Sequence, residues 1–183
     1  DGRGFTELDP PNFHGSHYVR TKILGEAELQ ALPALILRLR LPFDGTLCSR
    51  NLLMKLRGFA ALYSEANSLT YLPEFMAAAA QLLDRRATGV YHVVNPGALS
   101  PYAIMQMYAR IVNPDHVCMP LALGSEPAGV KARRSNCVLN PAKLGREGIV
   151  MRPVEEALTL ALQELVANLA GTARFRSSQD LKK

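Results

Sequence analysis

The sequence predicts an α/β chain with an incomplete parallel sheet. Residues 35–41 begin as an apolar run and then alternate, and residues 89–94 form a strongly strand-like run. Helical periodicity surrounds both runs, and helices alternating with strands are typical of α/β folds. A parallel sheet is buried on both faces and usually contains more than two strands. We therefore expect the other strands to lie in an N-terminal region absent from this chain or in another polypeptide.

The remaining elements follow from periodicity, caps and breakers. Residues 18–32 show helical spacing and end before Pro33. Pro73 suits the first position of a helix over 74–86, and Ser100 can cap a helix that reaches Val112. Shorter helices are predicted over 51–57 and 141–145, a small strand near 62–63, and a long amphipathic helix from Pro153. Residues 1–17 predict an irregular loop, 18–170 the folded body, and 171–183 a frayed polar tail.

Composition excludes several classes of protein. The chain has 183 residues, 48% hydrophobic and 20% charged, which are ordinary values for a globular domain. No apolar run is long enough to predict a membrane span, and the polar N-terminus lacks the pattern of a secretion signal. Three widely spaced cysteines argue against a disulfide framework and favour a reducing compartment, so we predict a cytoplasmic location.

Two other functions receive little support. No CxxC or HExxH spacing is present, and His14 and His17 lie in a loop-like segment, so no metal site is predicted. The net charge of +5 and the cluster Lys131, Arg133 and Arg134 raise the question of nucleic-acid binding. No groove-reading motif or aromatic stacking platform accompanies the cluster, so no nucleic-acid partner is predicted.

Tyr18 and Lys22 form a Y-x-x-x-K pair at the start of the first helix. Residues four apart lie on one helical face, where an ammonium favours the ionised form of a neighbouring phenol. Such a tyrosine can give a proton to a carbonyl oxygen while hydride reaches the carbon. The motif is short, and an ordinary surface pair would give the same pattern.

Context strengthens the motif. Residues 5–22, with the sequence FTELDPPNFHGSHYVRTK, resemble the region before and through the active-site helix of the rhamnose-synthesis epimerase/reductases. These are extended short-chain dehydrogenases similar to dTDP-4-dehydrorhamnose reductase. The resemblance continues in the same order through residues 37–42, 51–56, 68–72, 89–97 and 132–136, and covers nearly all of 5–165. It implies the C-terminal half of a Rossmann-like enzyme with a small substrate-binding portion.

The resemblance also implies an activity. Members of the family convert a nucleotide-linked 4-keto-6-deoxyglucose into nucleotide-linked rhamnose by epimerisation and NADPH-dependent reduction. Tyr18 would be the proton donor, and Lys22 would assist it and bind the ribose of the cofactor, NADPH or NADH. Pro42 would lie beside the nicotinamide. Lys55 matches the position of a lysine in the epimerase chemistry, which requires surroundings that favour the neutral amine. An exposed helical lysine is the alternative for Lys55.

Three further residues match segments that contact the nucleotide sugar. Asn51 would place an amide beside the substrate, and Arg134, followed by Asn136, would contact the nucleotide-linked sugar. A guanidinium suits a diphosphate because its planar fork donates two bonds at fixed geometry. A solvated cluster with Lys131 and Arg133 is the alternative for Arg134.

Several features of the family are not found in this sequence. There is no strand, glycine-rich turn and helix of the kind that holds a dinucleotide pyrophosphate. The family's serine or threonine partner of the tyrosine and its epimerase cysteine would lie upstream, and Cys137 stands where asparagine is usual. We therefore expect this chain alone to be inactive and its missing half to be supplied in cis or by a separate chain.

Two hypotheses remain open. The chain is either part of an active epimerase/reductase or a non-catalytic, degenerate dehydrogenase half that acts as a structural or regulatory subunit and completes its sheet with a partner. The tyrosine–lysine pair and Lys55 favour the first, and the partial sheet favours the second. A homodimer formed by the helices over 18–32 and 74–86 is compatible with the pattern, which does not require it.

Overall fold

The computed structural model describes residues 4–122 and 136–180, with side chains through residue 172. Helices and strands are interspersed along the chain. The helices are α1 His17–Leu29, α2 Leu52–Leu56, α3 Leu72–Asp84, α4 Pro101–Ile111, α5 Ala142–Arg146 and α6 Val154–Asp180. The strands are β1 Leu35–Arg38, β2 Pro42–Phe43, β3 Ala61–Tyr63, β4 Thr70–Tyr71, β5 Gly89–His92 and β6 Met119–Leu121.

The strands form three separate parallel pairs. β1 pairs with β5, β2 with β4 and β3 with β6. The two longer strands predicted from the sequence are the pair β1–β5, with Leu35 opposite Gly89 and Arg38 opposite His92, and the small strand predicted near 62–63 is β3. Across residues 4–122 and 136–180, no third strand flanks this pair. The prediction of an α/β chain with an incomplete parallel sheet is confirmed.

The strand predicted over 35–41 is shorter than its pattern indicates. β1 ends at Arg38, and Leu41 has a φ of 41°, in the left-handed region that a branched side chain rarely adopts. This turn redirects the chain, so that Pro42 begins β2 in a different sheet. The prediction of one continuous strand was therefore wrong beyond Arg38.

The main hydrophobic core lies beneath α6. Its inward face follows helical spacing, and Leu158, Ala161 and Leu165 are fully buried as that spacing predicts. They pack with residues of α2, α4, β3 and β4. A second cluster joins α3 to β5 through residues such as Leu82 and Tyr91.

The first and the last helix end at other residues than the sequence pattern indicates. α1 stops at Leu29, one turn before Pro33, and α6 continues to Asp180, into the segment expected to fray. Among the residues described, none of the helices has the length and apolar character needed to cross a bilayer.

Candidate active site

An open cleft of about 690 Å³ separates α1 from the end of β1. One wall is the face of α1 that carries Tyr18, Lys22 and Glu26, and the opposite wall is formed by β1 and the residues after it. The N-terminal loop closes one side because Phe5 hydrogen-bonds to the backbone of Val138. The predicted tyrosine–lysine pair therefore faces a space large enough for part of a cofactor and a sugar.

A serine fixes the start of α1. Ser16 is extended and its Oγ accepts a hydrogen bond from the backbone N–H of Val19 at 3.2 Å, which satisfies one of the free donors of the first turn. Tyr18 and Lys22 therefore stand in the first two turns. The Lys22 Nζ lies 5.6 Å from the centroid of the Tyr18 ring. Tyr18 is 68% exposed, so its phenol can reach a molecule in the cleft.

A chain of polar side chains connects α1 to both strands of the β1–β5 pair. Arg38, the last residue of β1, forms an ion pair with Glu26 of α1, with Nε 3.0 Å from Oε2. The same guanidinium donates from Nη1 to Nε2 of His92 at 3.1 Å. Glu7 of the N-terminal loop accepts a hydrogen bond from the backbone N–H of His92 at 2.9 Å. Four separate segments are joined at this point.

The hydrogen bonds determine the form of His92. Because Arg38 can only donate, the His92 Nε2 must accept, and the proton lies on Nδ1, which faces the carbonyl of Asn140 at 3.3 Å. The ring is completely buried. Burial lowers the pKa of His92 below its usual value; Glu7 opposes this shift and Arg38 reinforces it. The imidazole is therefore held neutral.

Two predicted site residues lie on or beside α2, outside the lining of this cleft. Lys55 is exposed in the last turn of α2. Asn51 is buried, and its Nδ2 donates to the backbone oxygens of Asp44 and Thr46, both at 2.8 Å. Its Oδ1 caps α2 by accepting from the N–H of Leu53. The amide of Asn51 thus shapes the loop before α2.

The other predicted residues are spread along the chain. Pro42 is exposed at the start of β2, opposite Thr70. Asn136 is exposed beside Cys137, which does line the cleft, and burial raises the pKa of the Cys137 thiol. Arg134, Lys131 and Arg133 lie outside the described residues.

Sequence reasoning missed the charged residues of the cleft. Arg38 and Arg40 alternate with leucines in a strand-like run, a pattern that by itself indicates only an emerging strand. Arg40 lines the cleft and donates from Nη2 to Oδ1 of Asn67 at 2.8 Å. Glu26 lies four residues after Lys22, and that spacing was a usable signal for a third residue on the same face.

The cleft fits one end of a nicotinamide cofactor. Lys22 offers ammonium donors suited to ribose hydroxyls, and the apolar residues of β1 suit the nicotinamide ring. Across the described ranges, no group of three or more histidine, cysteine, aspartate or glutamate side chains could hold a metal ion.

Comparison with known proteins identifies partial matches. The chain is 32% identical over 159 residues to a bifunctional dTDP-4-dehydrorhamnose 3,5-epimerase/dTDP-4-dehydrorhamnose reductase of Arabidopsis thaliana, which covers 86% of this chain and 53% of that protein. It is 31% identical to the trifunctional dehydratase/epimerase/reductase RHM1 of the same plant, over 86% of this chain and 24% of that protein. The chain thus spans about half or less of these relatives, and no family model matches it.

Solved structures also match this chain over part of their own length. The UDP-rhamnose synthase L780 of Acanthamoeba polyphaga mimivirus superposes with a TM-score of 0.83 at 26% identity, over 90% of this chain and 58% of that one. A dTDP-4-dehydrorhamnose reductase of Bacillus anthracis, in complex with NADP, superposes with a TM-score of 0.73 at 19% identity, over 90% and 60%. The second likeness shows the fold alone, and it is the Rossmann-like fold that the family resemblance implied.

Proposed function

Since the chain is related to the rhamnose-synthesis epimerase/reductases, extended short-chain dehydrogenases, over part of their length, we propose that the natural polypeptide containing it makes nucleotide-linked rhamnose. The reaction is NADPH-dependent reduction of a nucleotide-linked 4-keto-6-deoxy sugar, coupled to epimerisation. One observation carries this proposal: Tyr18 and Lys22 lie on one face of α1 and both line the cleft at the end of β1.

The chain's own residues would handle the proton. The exposed phenol of Tyr18 donates to the C4 carbonyl oxygen as that oxygen gains negative charge. Lys22 stabilises the resulting phenolate from its position one turn along α1 and holds the ribose hydroxyls. The bound nicotinamide supplies the hydride to C4.

The other assignments are also proposals. We assign Lys55 to the epimerase chemistry from its place in the matching segment 51–56. Lys55 is exposed on α2, so the surroundings that favour its neutral amine would have to come from the part of the natural polypeptide outside this chain. Pro42 is assigned to the nicotinamide, and Asn51, Arg134 and Asn136 to the nucleotide sugar. The Lys55 role predicts that Lys55→Met abolishes exchange of the sugar's C3 and C5 protons with solvent while Tyr18 and Lys22 stay in place.

The remainder of the cofactor site is assigned to a region outside this chain. β1 has a second edge with no strand beside it among the described residues, and the relatives are longer than this chain. Both observations support a nucleotide-binding half that continues the sheet next to β1, present in the same natural polypeptide or as a separate chain.

Substitution of the tyrosine tests the proposal. The natural polypeptide, isolated from its source and sized by mass spectrometry, is incubated with NADPH and a UDP- or dTDP-linked 4-keto-6-deoxy sugar. Tyr18→Phe should reduce turnover by about 10²- to 10⁴-fold, the usual contribution of a positioned acid. Tyr102→Phe on α4, which lies outside the cleft, is the matched control.

Two results would contradict the proposal. Retained turnover in Tyr18→Phe would remove the tyrosine from the chemistry. No turnover from the intact natural polypeptide, with every copurifying chain present, would favour the non-catalytic dehydrogenase-like subunit instead.

A further inference from the structure

Within this chain, the helix that carries the proposed acid contributes no residue to a hydrophobic core. None of the thirteen residues of α1 is buried, and Leu24 is 65% exposed. In α4, by contrast, Ile104 and Met105 are fully buried. A proton donor must nevertheless be held within a fraction of an ångström of its acceptor to be effective. Within this chain, the contacts that set the position of α1 are therefore polar ones.

The ion pair between Glu26 and Arg38 joins α1 directly to β1. The two side chains are 19% and 23% exposed, so water screens them less than it screens a surface pair. Arg38 also donates to His92, a fully buried ring on the neighbouring strand. The guanidinium therefore links a residue of α1 to a rigid position in the sheet.

The geometry connects this link to the acid. Tyr18, Lys22 and Glu26 are spaced four residues apart and all line the cleft. Arg38 is the last residue of β1 and lies within the opposite wall of the cleft, which runs over residues 36–40. The ion pair therefore spans the cleft one turn beyond Lys22 and sets the separation between its two walls.

We propose that Arg38 is a positioning residue, whose bonds to Glu26 and His92 hold α1 so that Tyr18 meets the reacting carbonyl. The inference rests on the proposed function for its catalytic consequence. Arginine suits this task because its planar fork reaches two acceptors in fixed directions, which a lysine ammonium cannot do. The neutral form of His92 is the acceptor that the second bond requires.

Three variants of the natural polypeptide test the proposal. Arg38→Met removes both bonds and keeps an apolar stem, and Arg38→Lys keeps the charge. Arg152→Met removes a different arginine–glutamate ion pair, with Glu74, outside this cleft. Arg38→Met should lower kcat by about 100-fold, as expected for a misplaced catalytic group. The KM for the UDP- or dTDP-linked keto sugar should change far less. Arg38→Lys should fall between Arg38→Met and the unsubstituted protein.

An isotope effect separates positioning from general damage. With NADPH deuterated at the transferred position, Arg38→Met should show a larger isotope effect on kcat, because hydride and proton transfer become slower than product release. Unfolding of a fraction of the protein would lower kcat without changing that effect. Hydrogen exchange should be faster in α1 of Arg38→Met and unchanged in α4, whereas Arg152→Met should leave α1 unchanged.

Each outcome decides the matter. Turnover in Arg38→Met equal to that of Arg152→Met, or a loss that matches the unfolded fraction with an unchanged isotope effect, would overturn the role of Arg38. If the unsubstituted polypeptide reduces no keto sugar, the proposed function has failed. Hydrogen exchange then tests by itself whether Arg38 holds α1 in position. In that case equal hydrogen exchange of α1 in Arg38→Met and Arg152→Met overturns the positioning role of Arg38. Faster exchange of α1 in Arg38→Met alone supports that role.

Discussion

α1 and α6 are both regular helices, but they are stabilised in opposite ways. α6 presents a continuous face of fully buried residues, including Leu158, Leu162 and Leu165, to the main core. In this chain α1 buries no residue; Ser16 caps its N-terminus, and the Glu26–Arg38 ion pair joins it to the sheet. The proposed chemistry lies on the helix that contributes least to the core. Stability and the candidate site therefore depend on different residues.

The largest difference should appear when one leucine is truncated on each helix. In the 183-residue chain, Leu162→Ala should lower the free energy of unfolding by about 2–5 kcal/mol, because it removes buried contacts and leaves a cavity. Leu24→Ala should change it by less than about 0.5 kcal/mol, as expected for an exposed position. Urea denaturation measures both. A large cost for Leu24→Ala in this chain would show that α1 is part of the core after all.

Leu24→Ala also tests whether the rest of the natural polypeptide covers α1. If a nucleotide-binding half covers the exposed face of α1, Leu24→Ala should cost more in the longer polypeptide than in the 183-residue chain. Equal costs in the two would argue that this face stays open to solvent.

Loss of a helix cap should lower the free energy of unfolding by less than loss of a buried leucine. It should again matter more for a helix packed in the core than for α1. Ser100 caps α4 by accepting from the N–H of Ala103 at 3.0 Å, as Ser16 caps α1 through Val19. Ser100→Ala should cost about 1 kcal/mol of global stability, because α4 unfolds with the core. Ser16→Ala should leave the urea midpoint nearly unchanged and speed hydrogen exchange only in the first turn of α1. Equal shifts in the midpoint would contradict the asymmetry.

The smallest effect is a pH dependence. Because the pKa of His92 is lowered in the folded chain, the unfolded chain binds a proton on this ring first as pH falls below 6.5. The free energy of unfolding should therefore decline below that pH and level off once the folded ring is also protonated. His92→Gln should flatten this decline, and His14→Gln in the exposed loop should not. A decline of the same slope in His92→Gln would assign the pH dependence to other groups.

Caps and breakers made much of the fold predictable from the sequence. Ser100 and Pro101 mark the start of α4, and Pro73 lies in the first turn of α3. The two strands with clear apolar runs became the β1–β5 pair. β4 and β6 were missed because two or three residues are too short to show a period, and β6 contains Pro120, which favours edges and breaks.

The candidate site was only partly predictable. The spacing of Tyr18 and Lys22 identified them because both lie on one helix. The links among Glu7, Glu26, Arg38 and His92 join segments far apart in the chain, and no local pattern carries such information. Burial of His92 was likewise invisible, since a histidine in an apolar strand can face either side of a sheet.

The parallel pairing of the strands has a consequence for how this chain is assembled during synthesis. The two strands of each pair are far apart in the sequence. The first paired residues are Pro42 and Thr70, Leu35 and Gly89, and Ala61 and Met119. No adjacent hairpin exists among these strands to form early, so every pairing must close a long loop before it gains any contact. A ribosome must therefore release residues as far as Leu121 before the last of these pairs can form, and until then the edge of β3 remains open to incorrect partners.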